Sequence, residues 1–146
     1  FNKLTIGAAK GDLFRYLILY KFGGIYCDLD NVVTKSFEKY LRDDDKFVVL
    51  RNENDRIDMH VFCVIPKHPL LKQIIDKTLY NIEHYTGTQK TGHVTGPFMY
   101  RPIVEEYMRH NSDVRVVDEN HIVNKMREKI KKYEKDYVYW GIIKKI

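Results

Sequence analysis

Between Ala8 and Phe22, apolar residues recur three and four positions apart, which predicts one amphipathic helix with a wide buried face. We expect this face to consist of the following apolar side chains: Ala9, Leu13, Leu17 and Tyr20, with Phe14 and Ile18 beside them. Gly23 and Gly24 come next, and glycine readily adopts the positive φ that ends many helices. The sequence therefore predicts that the helix stops here, with a positive φ in at least one of the two glycines.

Short apolar runs after the glycines predict strands. They lie at residues 25–29, 46–51, 60–66, 114–118 and 136–142, and the polar stretch 52–59 separates the second from the third.

Helices are expected between these strands. Ser36 is placed to cap a short helix, and Pro97 to open a longer one that runs to about Arg109. Residues 86–97 have the glycine and threonine content of a loop. Residues 68–85 carry one apolar helical face, made of Leu70, Ile74, Ile75, Leu79 and Ile82. Strands that alternate with helices indicate an α/β domain with a mixed sheet and flanking helices.

Composition limits the classes of protein that the chain can represent. With 146 residues, 44% hydrophobic and 31% charged, it has enough apolar material for one core, so we predict a single domain over 1–146. The net charge of +5 is concentrated in a lysine-rich run near the C-terminus that is typical of a solvated helix, and we expect no nucleic-acid partner. Cys27 and Cys63 are expected to be buried thiols rather than a disulfide or a zinc site.

The longest apolar run, LFRYLILYKF, contains Arg15 and Lys21 and is too short to cross a bilayer. We therefore expect a soluble, cytoplasmic protein, or one in the Golgi lumen if an anchor lies outside this chain. The first residue is Phe1 rather than Met, and no signal peptide follows it, so we expect the chain to begin inside a larger protein.

Two carboxylates follow the first predicted strand. Asp28 and Asp30 are two residues apart, so in an extended segment their side chains point to the same side and repel one another unless a cation or a proton resolves the charge. Carboxylate oxygens suit a hard divalent cation, Mn²⁺ or Mg²⁺, with phosphate oxygens of a ligand completing its shell. The simpler interpretation of such a short pattern is a solvated surface turn.

Asp12 and Arg15 precede this pair on the predicted helix. They are three residues apart and therefore lie on one face, which we expect to be opposite Leu13 and Leu17. By themselves they would form an ordinary surface ion pair.

The whole stretch AAKGDLFRYLILYKFGGIYCDLD, Ala8 to Asp30, resembles the DXD sugar-binding region of family 32 glycosyltransferases and of the related glucosyltransferase domains of large clostridial toxins. The resemblance implies a GT-A-like fold, a Mn²⁺ or Mg²⁺ cofactor, a UDP- or GDP-sugar donor, a glycan, lipid or protein acceptor, and retention of anomeric configuration. It also implies that Asp12 and Arg15 bond hydroxyls of the donor sugar, and that Tyr26 lies beside the donor. Asp28 would contact ribose or sugar and share the metal with Asp30.

Later segments also resemble the family. Thr95 to Pro97 looks like its Thr-Gly-Pro turn, which implies that Gly96 and Pro97 lie on the acceptor side. His68 matches the His of a His-Pro pair, although we interpret it as a helix-start residue without a chemical role. Family members often carry Asn nine residues before that His, where this chain has Met59.

Other parts of the family pattern are not matched. Trp140 has no His or Ser beside it as the C-terminal segment of many members does, and we interpret His93 and His121 as structural or solvated. The part of a GT-A domain that holds the nucleoside base is not found, so we expect a fragment or a reduced form of that domain.

Two other interpretations stay open. IYCDLDNVVT also resembles the opening motif of haloacid-dehalogenase-type phosphatases, in which Asp28 would be the nucleophile and Asp30 an acid/base. The chain would otherwise be a non-catalytic domain that binds sugar nucleotides or a protein partner. Three assay outcomes distinguish these interpretations. A glycosyltransferase would hydrolyse a sugar nucleotide, a phosphatase would turn over a simple phosphomonoester, and a binding domain would do neither.

Overall fold

The computed structural model describes residues 7–28, 31–33, 39–119 and 123–125. Its first helix, α1, spans Gly7–Phe22, as predicted. The helix ends where Gly23 N donates to Leu19 O at 2.8 Å, and Gly23 and Gly24 have φ values of 67° and 107°. A Cβ atom on Gly23 would lie 2.6 Å from Pro66 Cδ, so this turn needs glycine for space as well as for φ. The predicted stop is confirmed.

Six strands follow one another along the described chain: β1 (Gly24–Cys27), β2 (Asn31–Val33), β3 (Phe47–Arg51), β4 (Ile57–Val64), β5 (Val114–Asp118) and β6 (Val123–Lys125). Four of them form a mixed sheet in the order β1-β4-β3-β5, in which β4 is antiparallel to β1 and β3, and β5 is parallel to β3. The strands β1, β3 and β5 therefore run in one direction, and their carboxyl ends share one edge of the sheet. β2 and β6 form a separate antiparallel pair.

Three helices complete the described fold: α2 (Pro69–Glu83), α3 (Thr91–Val94) and α4 (Pro97–His110). His68 is the N-cap of α2 and accepts a hydrogen bond from Leu70 N, so its interpretation as a helix-start residue is confirmed. Pro97 opens α4, as predicted. The predicted loop at 86–97 is wrong in part, because α3 forms within it, where Thr95 N donates to Thr91 O at 2.9 Å.

The core lies between the sheet and the helices, and its wholly buried members include Tyr16, Phe47, Phe62, Leu70, Leu71 and Ile74. The predicted buried face of α1 is corrected, because the helix buries Ala9, Leu13, Tyr16 and Leu19. Leu17 and Phe14 are 44% and 58% exposed. The buried seam advances by four and then three residues, which keeps it on one side of a 3.6-residue helix, whereas Leu17 falls outside it.

Two smaller predictions also change. Leu79 of α2 is exposed and Thr78 is buried in its place, because the Thr78 hydroxyl donates to Ile74 O within the helix and so is satisfied without water. β4 starts at Ile57 rather than at residue 60, since Ile57 and Asp58 pair with β3 and the side chains of Ile57 and Met59 are buried.

Cys27 and Cys63 are half-buried and in the thiol form. Six predictions fall on residues outside the described part of the chain: the helix capped by Ser36, the solvated helix in the lysine-rich run near the C-terminus, the strand at 136–142, and the positions of Asp30, His121 and Trp140. Within the described residues, no helix is both long and apolar enough to span a membrane.

Candidate functional site

Arg15 is the centre of a cluster at the carboxyl edge of the sheet. Its Nη2 lies 2.8 Å from Asp12 Oδ1, and its Nη1 lies 3.1 Å from Asp28 Oδ1. The same Nη1 donates to Met59 O at 3.2 Å, and the guanidinium lies 4.6 Å from the centre of the Tyr26 ring. Arg15 therefore joins a carboxylate of α1 to the carboxylate that follows β1.

Local sequence explains how these groups meet. A three-residue spacing puts Asp12 and Arg15 on one side of α1, and the two glycines reverse the chain so that β1 leads Asp28 back to that side. The end of β1 is then fixed from β4, because Asp28 N donates to His60 O at 2.7 Å. Tyr26 donates its hydroxyl to Asp28 Oδ1 at 2.7 Å. Neither of the bonds from Tyr26 and Arg15 uses Oδ2 of Asp28.

Burial and charge act in opposite directions on these groups. Burial raises the pKa of Asp12, and the neighbouring Arg15 and the hydrogen bond from Thr95 reverse that effect only in part. Burial would lower the pKa of Arg15, but Asp12 and Asp28 outweigh it and leave the pKa raised, so the guanidinium stays charged. Burial and the bond to Asp28 raise the pKa of Tyr26 to about 12. The site therefore holds a permanent cation between two carboxylates, with a neutral phenol that donates.

The turn between α3 and α4 closes the other side of Asp12. Thr95 Oγ1 donates to Asp12 Oδ2 at 2.8 Å. A Cβ atom on Gly96 would lie 3.5 Å from the same oxygen, so the backbone of the Thr-Gly-Pro turn packs directly against this carboxylate. The structure thus brings Gly96, with Pro97 after it, beside Asp12.

A second polar cluster adjoins the first and was missed in the sequence analysis. Asp58 Oδ1 lies 3.1 Å from His60 Nδ1, and His60 Nε2 lies 3.3 Å from Glu119 Oε1 at the end of β5. Arg101 and Tyr100 of α4 both contact Asp58, at 3.6 Å and 3.4 Å. The alternation of polar and apolar residues in Asp58-Met59-His60, which is typical of a strand, was the sequence signal for this cluster within β4.

Charge shapes the protonation of the second cluster. Burial would raise the pKa of Asp58, but the hydrogen bond and charge of His60, together with Arg101, lower it to about 2. Burial would lower the pKa of His60, but Asp58, Glu119 and Asp28 outweigh it and raise the pKa. Met59, where relatives of the resembled family often have Asn, sends its side chain into the core and contributes only backbone groups here.

The described residues supply part of what a divalent cation needs. Asp28 offers a half-exposed carboxylate with Oδ2 outside the bonds from Tyr26 and Arg15, and hard oxygen ligands of this kind suit Mn²⁺ or Mg²⁺. Within the described part of the chain, no three His, Cys, Asp or Glu residues converge on one point. The carboxylate of Asp28 therefore fits such an ion as one member of its coordination shell. Asp30 and the phosphate oxygens of a bound nucleotide would have to supply the remaining oxygen atoms.

Two histidines considered in the sequence lie elsewhere. His93 is exposed and its ring stacks on Phe98 at 4.6 Å. His68 is buried near the start of β5, with Nε2 3.4 Å from Asp113 Oδ2, so it belongs to the edge of the sheet opposite Asp28.

Comparison with known proteins identifies a class that fits this geometry. Residues 1–48 match the family described as glycosyltransferase sugar-binding region containing DXD motif. The match contains Asp12, Arg15, Tyr26, Asp28 and Asp30. The resemblance inferred from the sequence is therefore supported by an independent comparison.

Particular relatives point to the same class. The chain is 27% identical over 126 residues to an uncharacterized glycosyltransferase of Acanthamoeba polyphaga mimivirus, which covers 84% of this chain and 49% of that protein. It is 32% identical over 87 residues to inositol phosphoceramide mannosyltransferase 1 of Schizosaccharomyces pombe, covering 59% of this chain and 27% of that protein. The chain thus spans half or less of the length of the curated relatives that it matches.

Among solved structures, the PaToxG glycosyltransferase has a similar fold. It aligns with a TM-score of 0.57 and 23% identity, over 70% of this chain and 35% of that chain. This likeness confirms the predicted fold class, an α/β domain of GT-A-like type with a mixed sheet and flanking helices.

Proposed function

We propose that the chain is the DXD domain of a glycosyltransferase that moves a sugar from a UDP- or GDP-sugar to a glycan, lipid or protein acceptor. One observation carries the proposal: Arg15 bridges Asp12 and Asp28 at the carboxyl edge of the sheet. Ligands of open α/β sheets bind at this edge. An ordinary surface ion pair on α1 would involve only Asp12 and Arg15, whereas here Asp28 is brought to the same guanidinium from the end of β1.

The roles of the residues follow from their chemistry. Asp12 accepts hydrogen bonds and Arg15 donates them, so together they recognise the hydroxyl groups of a donor sugar. The buried Nε of Arg15 has no acceptor among the described residues, and an unsatisfied buried donor is unusual outside functional sites. Tyr26 presents a ring and a neutral hydroxyl beside the donor, and Asp28 contacts ribose or sugar.

Asp28 and Asp30 would hold Mn²⁺ or Mg²⁺, and the bound cation would neutralise charge on the departing diphosphate. Arg15 and Tyr26 both contact Oδ1 of Asp28 and so fix the orientation of this carboxylate. We further propose that the anomeric configuration is retained, and we assign no protein nucleophile. Gly96 and Pro97 adjoin Asp12 and would border the acceptor.

The test is a screen of nucleotide-sugars with Mn²⁺, by thermal shift and then by turnover, on the complete gene product that carries this chain. The name of the Schizosaccharomyces pombe relative makes a nucleotide-linked mannose with inositol phosphoceramide the first pair to try. Asp28→Asn and Asp30→Asn should each remove Mn²⁺-dependent nucleotide binding without unfolding the protein. Unchanged Mn²⁺ dependence in both variants would contradict the proposed site.

The same assays separate the rival functions. A phosphatase would hydrolyse a simple phosphomonoester and form an aspartyl phosphate at Asp28, and would have no use for Asp12 and Arg15. A binding domain would show the thermal shift with no sugar release under any acceptor condition.

A further inference from the structure

Thr95 is wholly buried and contacts Asp12 from a distant part of the sequence. Its hydroxyl donates to Asp12 Oδ2 at 2.8 Å, while Oδ1 of the same carboxylate bonds Arg15. Each oxygen of Asp12 therefore has one fixed partner. The plane of the carboxylate is determined by these two contacts together, and the remaining lone pairs are left for a ligand.

The turn that carries Thr95 is itself held in place by side chains. Tyr16 of α1 donates its hydroxyl to Thr95 O at 2.9 Å. Asn81 of α2 donates to His93 O and Val94 O at 3.2 Å and 3.0 Å. Three successive carbonyls thus accept bonds from two neighbouring helices, which fix the backbone that carries Thr95. Its hydroxyl lies closer to Asp12 Oδ2, at 2.8 Å, than to Thr91 O, at 3.4 Å.

Close packing places the turn near enough for this contact. A Cβ atom on Gly96 would lie 3.0 Å from Gly92 Cα and 3.5 Å from Asp12 Oδ2. A side chain at Gly96 would therefore crowd Gly92 and fill the space beside Asp12. Gly96 and the Thr95 hydroxyl serve one arrangement, in which the backbone approaches a charged group that is largely out of water.

We propose that Thr95 is a positioning residue for donor recognition: its hydroxyl orients the Asp12 carboxylate toward the donor sugar. Thr95 is buried and acts through Asp12, so it need not touch the substrate. The proposal rests on the function proposed above for Asp12. Because Asp12 is assigned to the sugar and not to the nucleotide, loss of the Thr95 hydroxyl should weaken the binding only of ligands that carry a sugar.

The experiment compares binding of a sugar nucleotide and of the matching nucleoside diphosphate, both with Mn²⁺, by calorimetry. Thr95→Val keeps the shape and removes the hydroxyl, so the sugar nucleotide should bind about tenfold more weakly, the scale of one hydrogen bond to a charged group. The nucleoside diphosphate should bind as in the wild type. Thr95→Ser should restore sugar-nucleotide binding.

Thr78→Val is the matched control, since Thr78 is equally buried and its hydroxyl donates to Ile74 O of its own helix. It should leave both affinities unchanged. If Thr95→Val does not fold, Thr95→Ala replaces it in the same comparison.

Equal weakening of both ligands, or no weakening of either, would overturn the positioning role while leaving the glycosyltransferase proposal intact. A wild-type protein that binds the nucleoside diphosphate and sugar nucleotide equally tightly would overturn the positioning role as well. A wild-type protein that binds neither would overturn the proposed function and this inference with it.

Discussion

Replacement of Arg15 by alanine should destabilise the protein and remove donor binding. The guanidinium contacts Asp12, Asp28 and Met59 O, and the side chains of Arg15, Asp12 and Asp28 are only 15%, 14% and 28% exposed. Exposed ion pairs contribute about 0 to 1 kcal/mol, whereas loss of one partner of a fully buried pair costs about 3 to 5 kcal/mol. The intermediate exposure leads us to expect a loss of about 2 to 3 kcal/mol at neutral pH, since Asp12 and Asp28 lose the guanidinium that they share.

The loss should shrink as the pH falls. Burial raises the pKa of Asp12 in the wild type, and Arg15 is the strongest opposing influence. Without Arg15, the folded protein binds a proton at Asp12 more readily than the unfolded chain does. The contribution of Asp12 to the free energy of unfolding of the variant therefore increases as the pH falls through its raised pKa, and the difference in stability from the wild type narrows.

Urea unfolding followed by far-UV circular dichroism at several pH values measures both effects. Arg109→Ala is the matched control, because Arg109 and Glu106 also lie three apart on a helix, at 2.6 Å, but are 69% and 58% exposed. Its cost should stay below about 1 kcal/mol and vary little with pH. If the two variants cost the same, Arg15 is only a surface residue and the argument for a built site fails.

Two further predictions concern the turn and the second cluster. Gly23→Ala should lower the free energy of unfolding by about 2 to 4 kcal/mol, because alanine is strained at φ 67° and its Cβ would also meet Pro66. Gly11→Ala is the control: its Cβ meets open space within α1, so it should raise the free energy of unfolding by about 0.5 to 1 kcal/mol. Equal effects of the two substitutions in urea unfolding would contradict this account. Burial would raise the pKa of Asp58, but the hydrogen bond from His60 and the charges of His60 and Arg101 lower it from its ordinary 3.8 to about 2. The contribution of ionised Asp58 to the free energy of unfolding is therefore present above pH 3.8 and is lost as the pH falls toward 2. Between pH 4 and pH 2 the Asp58→Asn variant should therefore lose about 1 to 2 kcal/mol less of its free energy of unfolding than the wild type does. An equal loss in the two proteins would show that Asp58 is not paired in solution.

The predictable part of the site is the part encoded within one short stretch. Asp12, Arg15, the two glycines and Asp28 lie within 17 consecutive residues, so helix spacing and a glycine stop are enough to bring them together. The same reasoning located α1, α4 and the strands β3 and β5, whose patterns are strong and local. Where periodicity was counted from Leu17 rather than from Tyr16, the buried face of α1 was wrong, because spacings of three and four residues fit several seams in one short helix.

The supporting contacts could not be found in this way. Thr95 lies 83 residues from Asp12, and Met59 lies 44 residues from Arg15. Such contacts depend on the order of strands in the sheet and on how α4 packs over β4, and neither is written in the spacing of any one segment. Met59 illustrates the point: its apolar side chain gives no sign that its carbonyl accepts a bond from Arg15.

Charge balance at this edge bears on why a cation should be needed. The ion pairs at this edge form two adjoining clusters. Arg15 contacts Asp12 and Asp28, while His60 contacts Asp58 and Glu119, and Arg101 also contacts Asp58. The basic groups are already committed to these carboxylates, so they cannot also neutralise a diphosphate without leaving a partly buried carboxylate unpaired. A nucleotide that enters the site therefore has to bring positive charge with it. For this reason we expect Mn²⁺ or Mg²⁺ to be required for nucleotide binding, while the fold, whose charges are paired internally, should withstand chelation with little change in its midpoint of unfolding.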